Sequence, residues 1–192
     1  MSDHGFHVHG PHDHEVEHVA QHGDKDRFAG SMAVATAVLA TIGALFSYMG
    51  GATQANAGLF KNNAAIKKTE AGNQWNYYQA KSGKQNLSEL AIALVADDRK
   101  PRFEQEVERY KKEKAEIKLA AEALEAKSKD WDLQSDAQMH QHHRWAQATT
   151  ALQISIALAA IALLTKKRWM RGATLFAGGT GIVLGALAWF HI

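Results

Sequence analysis

Three long apolar runs constrain the fold of this chain more than any other feature. They occupy residues 28–51 (FAGSMAVATAVLATIGALFSYMGG), 145–164 (WAQATTALQISIALAAIALL) and 173–190 (ATLFAGGTGIVLGALAWF), and none contains a charged residue. Each is about as long as the roughly 20-residue helix that crosses the hydrocarbon layer of a bilayer. The runs lack the alternating pattern of barrel strands, so only helices can satisfy their backbone hydrogen bonds in lipid. We therefore expect an all-α membrane protein with three transmembrane helices.

Residues at the ends of these runs indicate how the chain is oriented. Aromatic residues typical of the membrane interface occur there, at Tyr48, Trp145, Trp169 and Trp189. The loop 165–172, TKKRWMRG, contains four basic residues, and short basic loops tend to remain in the cytoplasm. We expect this loop and the N-terminal tail, residues 1–27, to be cytoplasmic, and residues 52–144 to lie on the opposite side of the membrane.

The segment 52–144 is charged and amphipathic, and apolar residues recur in it every seven positions. The first repeat consists of Leu59, Ile66, Asn73, Ala80, Leu87 and Leu94, and the second of Phe103, Tyr110, Ile117, Leu124 and Trp131. Between them Pro101 cannot continue a helix and disfavours a helical Lys100. The pattern predicts a long antiparallel helical hairpin, a coiled coil, with its turn near residues 97–101.

Polar residues interrupt the predicted packing surfaces. Asn73 lies within the first repeat, and Asn62, Thr69 and Asn76 occupy companion positions three residues after repeat members. In the second span Thr149 and Gln153 share one helix face. Polar residues in a coiled-coil seam fix register or oligomeric state by bonding to a partner helix. We expect these six residues to lie in a seam between copies of the chain; alternatively, they line the lumen of an oligomeric channel.

Small residues predict where helices approach closely in the membrane. Gly43, Ser47 and Gly51 recur every four positions in the first span, and Gly181 and Gly185 form a GxxxG pair in the third. Such residues let transmembrane helices pack backbone to backbone. They are candidates for helix packing within one chain or between copies.

Two histidine-rich segments are candidate metal sites. His14, His18 and His22 would share one face if the N-terminal tail were helical, and His140, His142 and His143 immediately precede the second span. Imidazole binds divalent transition metals, and short His-rich tracts commonly do so. The alternatives are a solvated, flexible tail and an interfacial segment that needs no cofactor. A metal-binding or metal-sensing membrane protein is therefore a third hypothesis.

Composition disfavours several other classes of protein. The net charge is +2, from 22 basic and 20 acidic residues, so nothing in the charge favours nucleic-acid binding. Cysteine is absent, which excludes disulfides and thiolate chemistry. No phosphate loop, nucleophile elbow or HExxH motif occurs, so an enzyme is the weakest class. The expected partners are further copies of the chain and the lipid bilayer.

Three segments resemble a known family. They are NQWNYYQAKSGKQN at 73–86, HGPHDHEVEH at 9–18 and HHRWAQATTALQISIALAAIALLTKKRW at 142–169. Together they are similar to a bacterial membrane family catalogued as domain of unknown function 4337. The resemblance implies three spans with a helical segment between the first two, and it implies no catalytic residues. For a bacterial inner membrane, the predicted orientation makes segment 52–144 periplasmic. We expect a structural or scaffold protein that assembles with itself.

Overall fold

The computed structural model describes the backbone of residues 13–190 and the side chains of residues 27–190. Along this part of the chain α1 spans Asp13–Leu94, a 3₁₀ helix spans Asp97–Arg99, α2 spans Lys100–Thr165 and α3 spans Arg168–Trp189. Residues 13–190 contain no β-strand, which confirms the all-α prediction. Three helices, α1, α2 and α3, each hold a stretch long and apolar enough to cross a membrane.

The chain divides into two compact units. The first, here called the span unit, combines Met1–Gly50 with His143–Ile192, and the second, the arm unit, is Gly51–His142.

The chain has only two prolines, Pro11 and Pro101, so no residue between them lacks the backbone N–H that a helix uses. This accounts for the length of α1 in terms of local sequence.

The break between α1 and α2 lies at residues 95–99. Ala96 is extended, with φ −65° and ψ 154°, whereas Lys100 is helical, with φ −55° and ψ −44°. The expectation that Pro101 keeps Lys100 out of the helical conformation is wrong. The 3₁₀ helix leads directly into α2, so Lys100 is already helical. Pro101 lies in the first turn of α2, where the N–H that proline lacks would have no partner within the helix.

In the arm unit α1 and α2 pack along a seam of small residues. The Ser128 hydroxyl donates to the Ala64 carbonyl at 2.8 Å, and the Ser135 hydroxyl donates to the Ala57 carbonyl at 2.9 Å. Because residue numbers rise along α1 as they fall along α2, the two helices run in opposite directions at these contacts. Buried Ala71 and Ala121 extend the pattern of a small residue every seven positions on each helix.

The apolar repeat predicted on α2 lies in this seam, but the one predicted on α1 does not. Tyr110 and Ile117 are buried, whereas Leu59, Leu87 and Leu94 are exposed. The buried positions of α1 lie two residues earlier, at Ala57, Ala64 and Ala71. The period of seven was therefore right, but the phase was wrong for contact with α2. Small size, rather than large apolar area, selects the face of α1 that meets α2.

In the span unit most buried residues are small, whereas most of the large apolar residues are exposed. The small buried residues include Ala148, Ala159, Ala162 and Thr174, and the larger buried ones are Met32, Leu39, Trp145, Leu152 and Met170. The exposed large side chains of the same unit are Val34, Val38, Leu45, Tyr48, Ile154, Ile161, Leu164, Trp169, Leu175, Phe176, Ile182, Val183, Leu187, Trp189 and Phe190. Soluble helical proteins usually show the opposite arrangement, since they bury their large apolar side chains.

A very short turn joins α2 to α3. Only Lys166 and Lys167 separate the two helices, and Lys166 adopts φ 53°, in the left-handed region. Arg168 and Arg171 lie inside α3, so the basic cluster of 165–172 comprises a two-residue turn and the first turn of a helix. The helix α3 therefore begins five residues before the apolar run 173–190.

The small-residue seam generates a prediction. Replacing Ala121, which is fully buried, by leucine inserts three carbon atoms where α1 and α2 meet. We expect the free energy of unfolding of the full chain in detergent to fall by about 1–3 kcal/mol, as for other overpacked cores. Circular dichroism during denaturation measures this.

The matched control is Ala123→Leu, which makes the same change on the same helix at an exposed position. It should leave the free energy of unfolding within about 0.5 kcal/mol of the unmodified chain. Equal losses in the two variants would show that the seam does not depend on small residues.

Candidate functional site

The aromatic and amide stretch NQWNYYQAK, residues 73–81, contacts α2 at several points within the arm unit. The Trp75 indole N–H donates to Glu125 Oε1 at 2.8 Å, and the Trp75 ring packs edge-on against Tyr78, with centroids 5.7 Å apart. Lys114 lies over the Tyr78 ring at 5.0 Å and also donates to Gln85. These contacts hold α1 against α2, so the aromatic residues of this stretch are part of the packing between the two helices.

Lys81 lies at the centre of this group of contacts. Its ammonium pairs with Glu113 at 2.5 Å and lies 5.1 Å from the centroid of the Tyr77 ring and 5.6 Å from that of Tyr110. Hydrogen bonds to Glu113 and then to Tyr77 raise the pKa of Lys81 above its ordinary value of 10.5. The hydrogen bond from Lys81 lowers the pKa of Glu113 below its ordinary value of 4.5. The pair stays ionised over the whole neutral range.

The predicted polar seam residues of α1 lie elsewhere on the helix. Asn62, Thr69, Asn73 and Asn76 are all exposed, on the face that also carries Leu59 and the rest of the first repeat. At 100° per residue Asn73 is about 200° around the helix from buried Ala71, so this face points away from α2. The contact between α1 and α2 within one chain does not use these residues. Their predicted role between copies stays a prediction.

This exposed face carries no charge over its whole length. We call it the uncharged strip; its members are Leu59, Asn62, Ile66, Thr69, Asn73, Asn76, Ala80, Gly83, Leu87, Leu90 and Leu94, all exposed. The seven charged residues between positions 52 and 94 all lie off it, at Lys61, Lys67, Lys68, Glu70, Lys81, Lys84 and Glu89. A charge-free face about 35 residues long is unusual on a helix that must otherwise be covered by water.

The two polar candidates of the second span differ in environment. Thr149 is half-buried, and its hydroxyl donates to the Trp145 carbonyl of its own helix at 2.8 Å. Gln153 is exposed on the outer surface of the span unit. The Thr149 hydroxyl is therefore already bonded, as threonines in helices often are.

Of the predicted helix-packing residues, three are buried and two are exposed. Gly43 lies against Leu152, and Gly181 and Gly185 lie against α2 and α1 respectively. A Cβ at Gly181 would lie 2.8 Å from Leu152 Cγ, and one at Gly185 would overlap the Phe46 ring. Ser47 and Gly51 are exposed and take no part in these contacts. The GxxxG pair thus acts within one chain, where it lets α3 approach both other helices.

Other contacts in the span unit were not singled out from the sequence. Gly178 is a third close-packed glycine of α3, since a Cβ there would lie 2.9 Å from a methyl group of Leu39. The Ser155 hydroxyl donates to the Thr174 carbonyl at 2.7 Å, and both residues are fully buried. The spacing of Gly178, Gly181 and Gly185 on one helix face was the available signal. Nothing in the sequence pairs Ser155 with Thr174.

Trp145 does not belong to an outward-facing aromatic belt. It is only 2% exposed and packs against Phe46 and Trp189, at centroid distances of 5.2 Å and 6.5 Å. Tyr48, Trp169 and Trp189 are exposed, as residues of the membrane interface would be. The sequence places all four at the ends of spans but does not show which of them turns inward.

The histidine candidates remain a prediction. The side chains of His14, His18 and His22 lie outside the described residues. In the second cluster His140 and His143 are exposed and His142 is half-buried. Among side chains 27–190, no group of three or more histidine, aspartate or glutamate residues is arranged to hold a metal ion.

Comparison with known proteins gives one family. The model of the family described as Domain of unknown function (DUF4337) matches residues 28–191. The match covers most of the 192 residues, so the chain belongs to this family, as the resemblance indicated. No curated protein and no solved structure matches the chain.

The glycine contacts of α3 predict how the span unit responds to a single methyl group. Gly185→Ala places a methyl group on the Phe46 ring, and the ring and α3 must then separate. We expect a loss of about 1–3 kcal/mol in the free energy of unfolding in detergent. Gly179→Ala is the control, because nothing lies within 4 Å of its added Cβ. A Gly185→Ala variant as stable as Gly179→Ala would contradict the packing described.

The Lys81–Glu113 pair predicts an acid dependence of stability. Because the folded-state pKa of Glu113 is lowered, its contribution is present above about pH 4.5 and is lost as the pH falls through the lower folded-state value. We expect Glu113→Gln to flatten the decline in unfolding temperature between pH 5 and pH 3. Glu116→Gln, at an exposed position of the same helix, should leave that decline unchanged. Identical slopes for both variants would argue against the pair.

Proposed function

We propose that this DUF4337 protein is a multi-pass protein of the bacterial inner membrane, and that its copies form a structural or scaffold assembly. In this proposal three helices cross the bilayer, and residues 52–144 form an antiparallel coiled-coil hairpin outside it. The observation that carries the proposal is the side-chain distribution of the span unit, where most buried residues are small and most large apolar residues are exposed.

Lipid is the solvent that suits such a surface. Phe176 is 80% exposed and Val34 66%, and residues like them cover all three helices of the span unit. In water, exposed apolar patches this extensive would cause association, because monomeric soluble proteins rarely expose more than a few hundred Å² of contiguous apolar surface. Inside, glycine, alanine and serine allow the close packing and interhelical hydrogen bonding typical of membrane helices.

The basic turn supports the orientation. Lys166, Lys167, Arg168 and Arg171 all lie between or at the ends of α2 and α3, and short basic connections favour the cytoplasmic side. With three spans, the N-terminal tail shares that side and the hairpin is periplasmic.

The Ser155–Thr174 hydrogen bond and the two-residue turn hold α2 and α3 together as a closely packed pair.

Gln153 supports self-association. Its amide lies on the outer surface of the second span, and an amide facing hydrocarbon without a partner is costly. A second copy of the same helix supplies both a donor and an acceptor, which an amide can pair with reciprocally. The same exposure favours a second candidate function, an oligomeric channel in which Gln153 lines a lumen. Bilayer conductance that changes in Gln153→Leu would support the channel.

Two measurements test the proposal. Native mass spectrometry in mild detergent should give a defined number of copies greater than one, and a monomer would refute the assembly. The natural absence of cysteine allows topology to be mapped with single cysteines and a membrane-impermeant maleimide on spheroplasts. We expect Glu116→Cys to react from outside and Arg171→Cys only after lysis. The reverse pattern would overturn the orientation, and reaction of both from outside would overturn the three-span insertion.

A further inference from the structure

The two helices of the arm unit differ sharply in the surfaces that they expose. The outer side of α2 is charged along its length, with exposed residues such as Glu104, Lys112, Glu116 and Lys127. Ion pairs between Lys111 and Glu108 and between Lys118 and Glu122 add to its charged character. The uncharged strip of α1 has nothing comparable. Water suits the exposed side of α2, whereas the strip has the composition of a contact surface.

The spacing within the strip indicates that its partner is a helix. Leucine or isoleucine recurs at seven-residue intervals towards both ends, at Leu59 and Ile66 and again at Leu87 and Leu94. The contact of α1 with α2 has the same period of seven, on the opposite side of α1. A seven-residue period keeps one face of a helix in contact with another helix over several turns when the two helices supercoil around each other. A globular partner or a flat lipid surface would not require it.

We infer that the uncharged strip is the surface through which copies of this chain associate, with their α1 helices parallel and same-numbered residues facing each other. The inference rests on the proposed membrane insertion, because copies inserted with one topology present the same residues at the same level. It goes further by assigning the contact to one face of one helix. The α2 helices then remain on the outside of the assembly.

The order of residues along the strip matches a second copy at the same level. Its ends are aliphatic and its middle carries the amides Asn73 and Asn76. In a parallel arrangement aliphatic ends meet aliphatic ends, and each amide meets an identical amide that offers both a donor and an acceptor. A single asparagine of this kind fixes register in parallel coiled coils. The absence of charge removes the like-charge repulsion that identical surfaces otherwise suffer.

The size of the strip is adequate for association assisted by the membrane. Thirty-five residues of helix extend about 50 Å, and a helix is about 10 Å wide, so the strip covers roughly 500 Å² on each copy. Stable complexes bury about 800 Å² on each partner. The remainder can come from the spans, where Gln153 is exposed.

Single-cysteine cross-linking in the full chain tests the arrangement directly. Asn73→Cys lies on the strip, and Lys68→Cys lies at an exposed position of the same helix, about 140° away from Asn73 and off the strip. Disulfides need Cα atoms within about 7 Å, which only facing residues satisfy. We expect mild oxidation in native membranes to convert most of the Asn73→Cys chain into disulfide-linked pairs and little of Lys68→Cys. Ala80→Cys, also on the strip, should behave like Asn73→Cys.

A charge placed on the strip gives an independent measurement. Leu87 and Leu119 have almost equal exposure, 67% and 68%, but Leu119 lies on α2. Leu87→Glu sets like charges opposite each other in the proposed contact and should lower the number of copies found by native mass spectrometry. Leu119→Glu should leave that number unchanged. Circular dichroism checks that both variants retain their helices.

The outcomes separate this inference from the broader proposal. An assembly that persists in Leu87→Glu, and in which cysteines at positions 73 and 68 cross-link equally, overturns the assignment of the strip and leaves self-association standing. A monomer in mild detergent that also fails to cross-link in membranes overturns both. Preferential cross-linking at positions 73 and 80, with loss of assembly in Leu87→Glu, supports the inference.

Discussion

Both units of this protein depend on helices that meet through short side chains. In the arm unit serine hydroxyls on α2 donate to carbonyls of α1, and in the span unit Ser155 on α2 donates to the Thr174 carbonyl of α3. A hydroxyl one carbon from the backbone can reach a carbonyl of the next helix only when the helices are close. Alanine and glycine at the neighbouring positions allow that approach. Each of these hydrogen bonds also stabilises the contact between the two helices by roughly 1 kcal/mol.

Short side chains at many of the contacts leave most of the large apolar residues exposed, and these exposed residues differ between the two units. In the span unit the large residues form an apolar exterior that suits lipid. In the arm unit they appear on the uncharged strip, while Tyr78, Lys81 and Tyr110 reinforce the contact of α1 with α2. The stretch NQWNYYQAK combines both roles on one helix. Tyr78 and Lys81 face α2, whereas Asn73 and Asn76 face away from it.

The sequence showed the seven-residue period and the composition of each helix, but it did not show which face of α1 contacts α2. Charge-free runs and proline positions predict the three apolar helices and the break near Asp97–Arg99. The seven-residue repeat correctly selected Tyr110 and Ile117 on α2. On α1 it selected Leu59 and Leu87, because aliphatic area was taken to indicate burial, while alanines two positions earlier make the contact. When two faces of a helix share one period, either the more hydrophobic face or the face with the smaller side chains can be the one that contacts a neighbouring helix. In α1 the face with the smaller side chains contacts α2.

The same preference for size explains which site residues were found and which were missed. Gly181 and Gly185 form a recognisable pair, and the structure places both against neighbouring helices. Ser47 and Gly51 have similar spacing but lie on an exposed face, since spacing alone does not tell a helix which side its neighbours occupy. Trp145 shows the converse, a large residue buried at a span end. Its position depends on Phe46 and Trp189, which are distant in sequence and carry no local signal.

Seams built from alanine, glycine and serine also have an entropic consequence. Alanine and glycine have no side-chain rotamers to freeze, whereas a leucine or methionine loses about 0.5–2 kcal/mol of rotamer freedom when it is buried. The small members of these contacts, Ala57, Ala64, Gly178 and Gly181, therefore lose backbone freedom alone, while buried partners such as Leu39 and Leu152 also lose rotamers. The exposed large residues are not buried against a neighbouring helix, so they can adapt to whatever surrounds them while the helices beneath keep a fixed register.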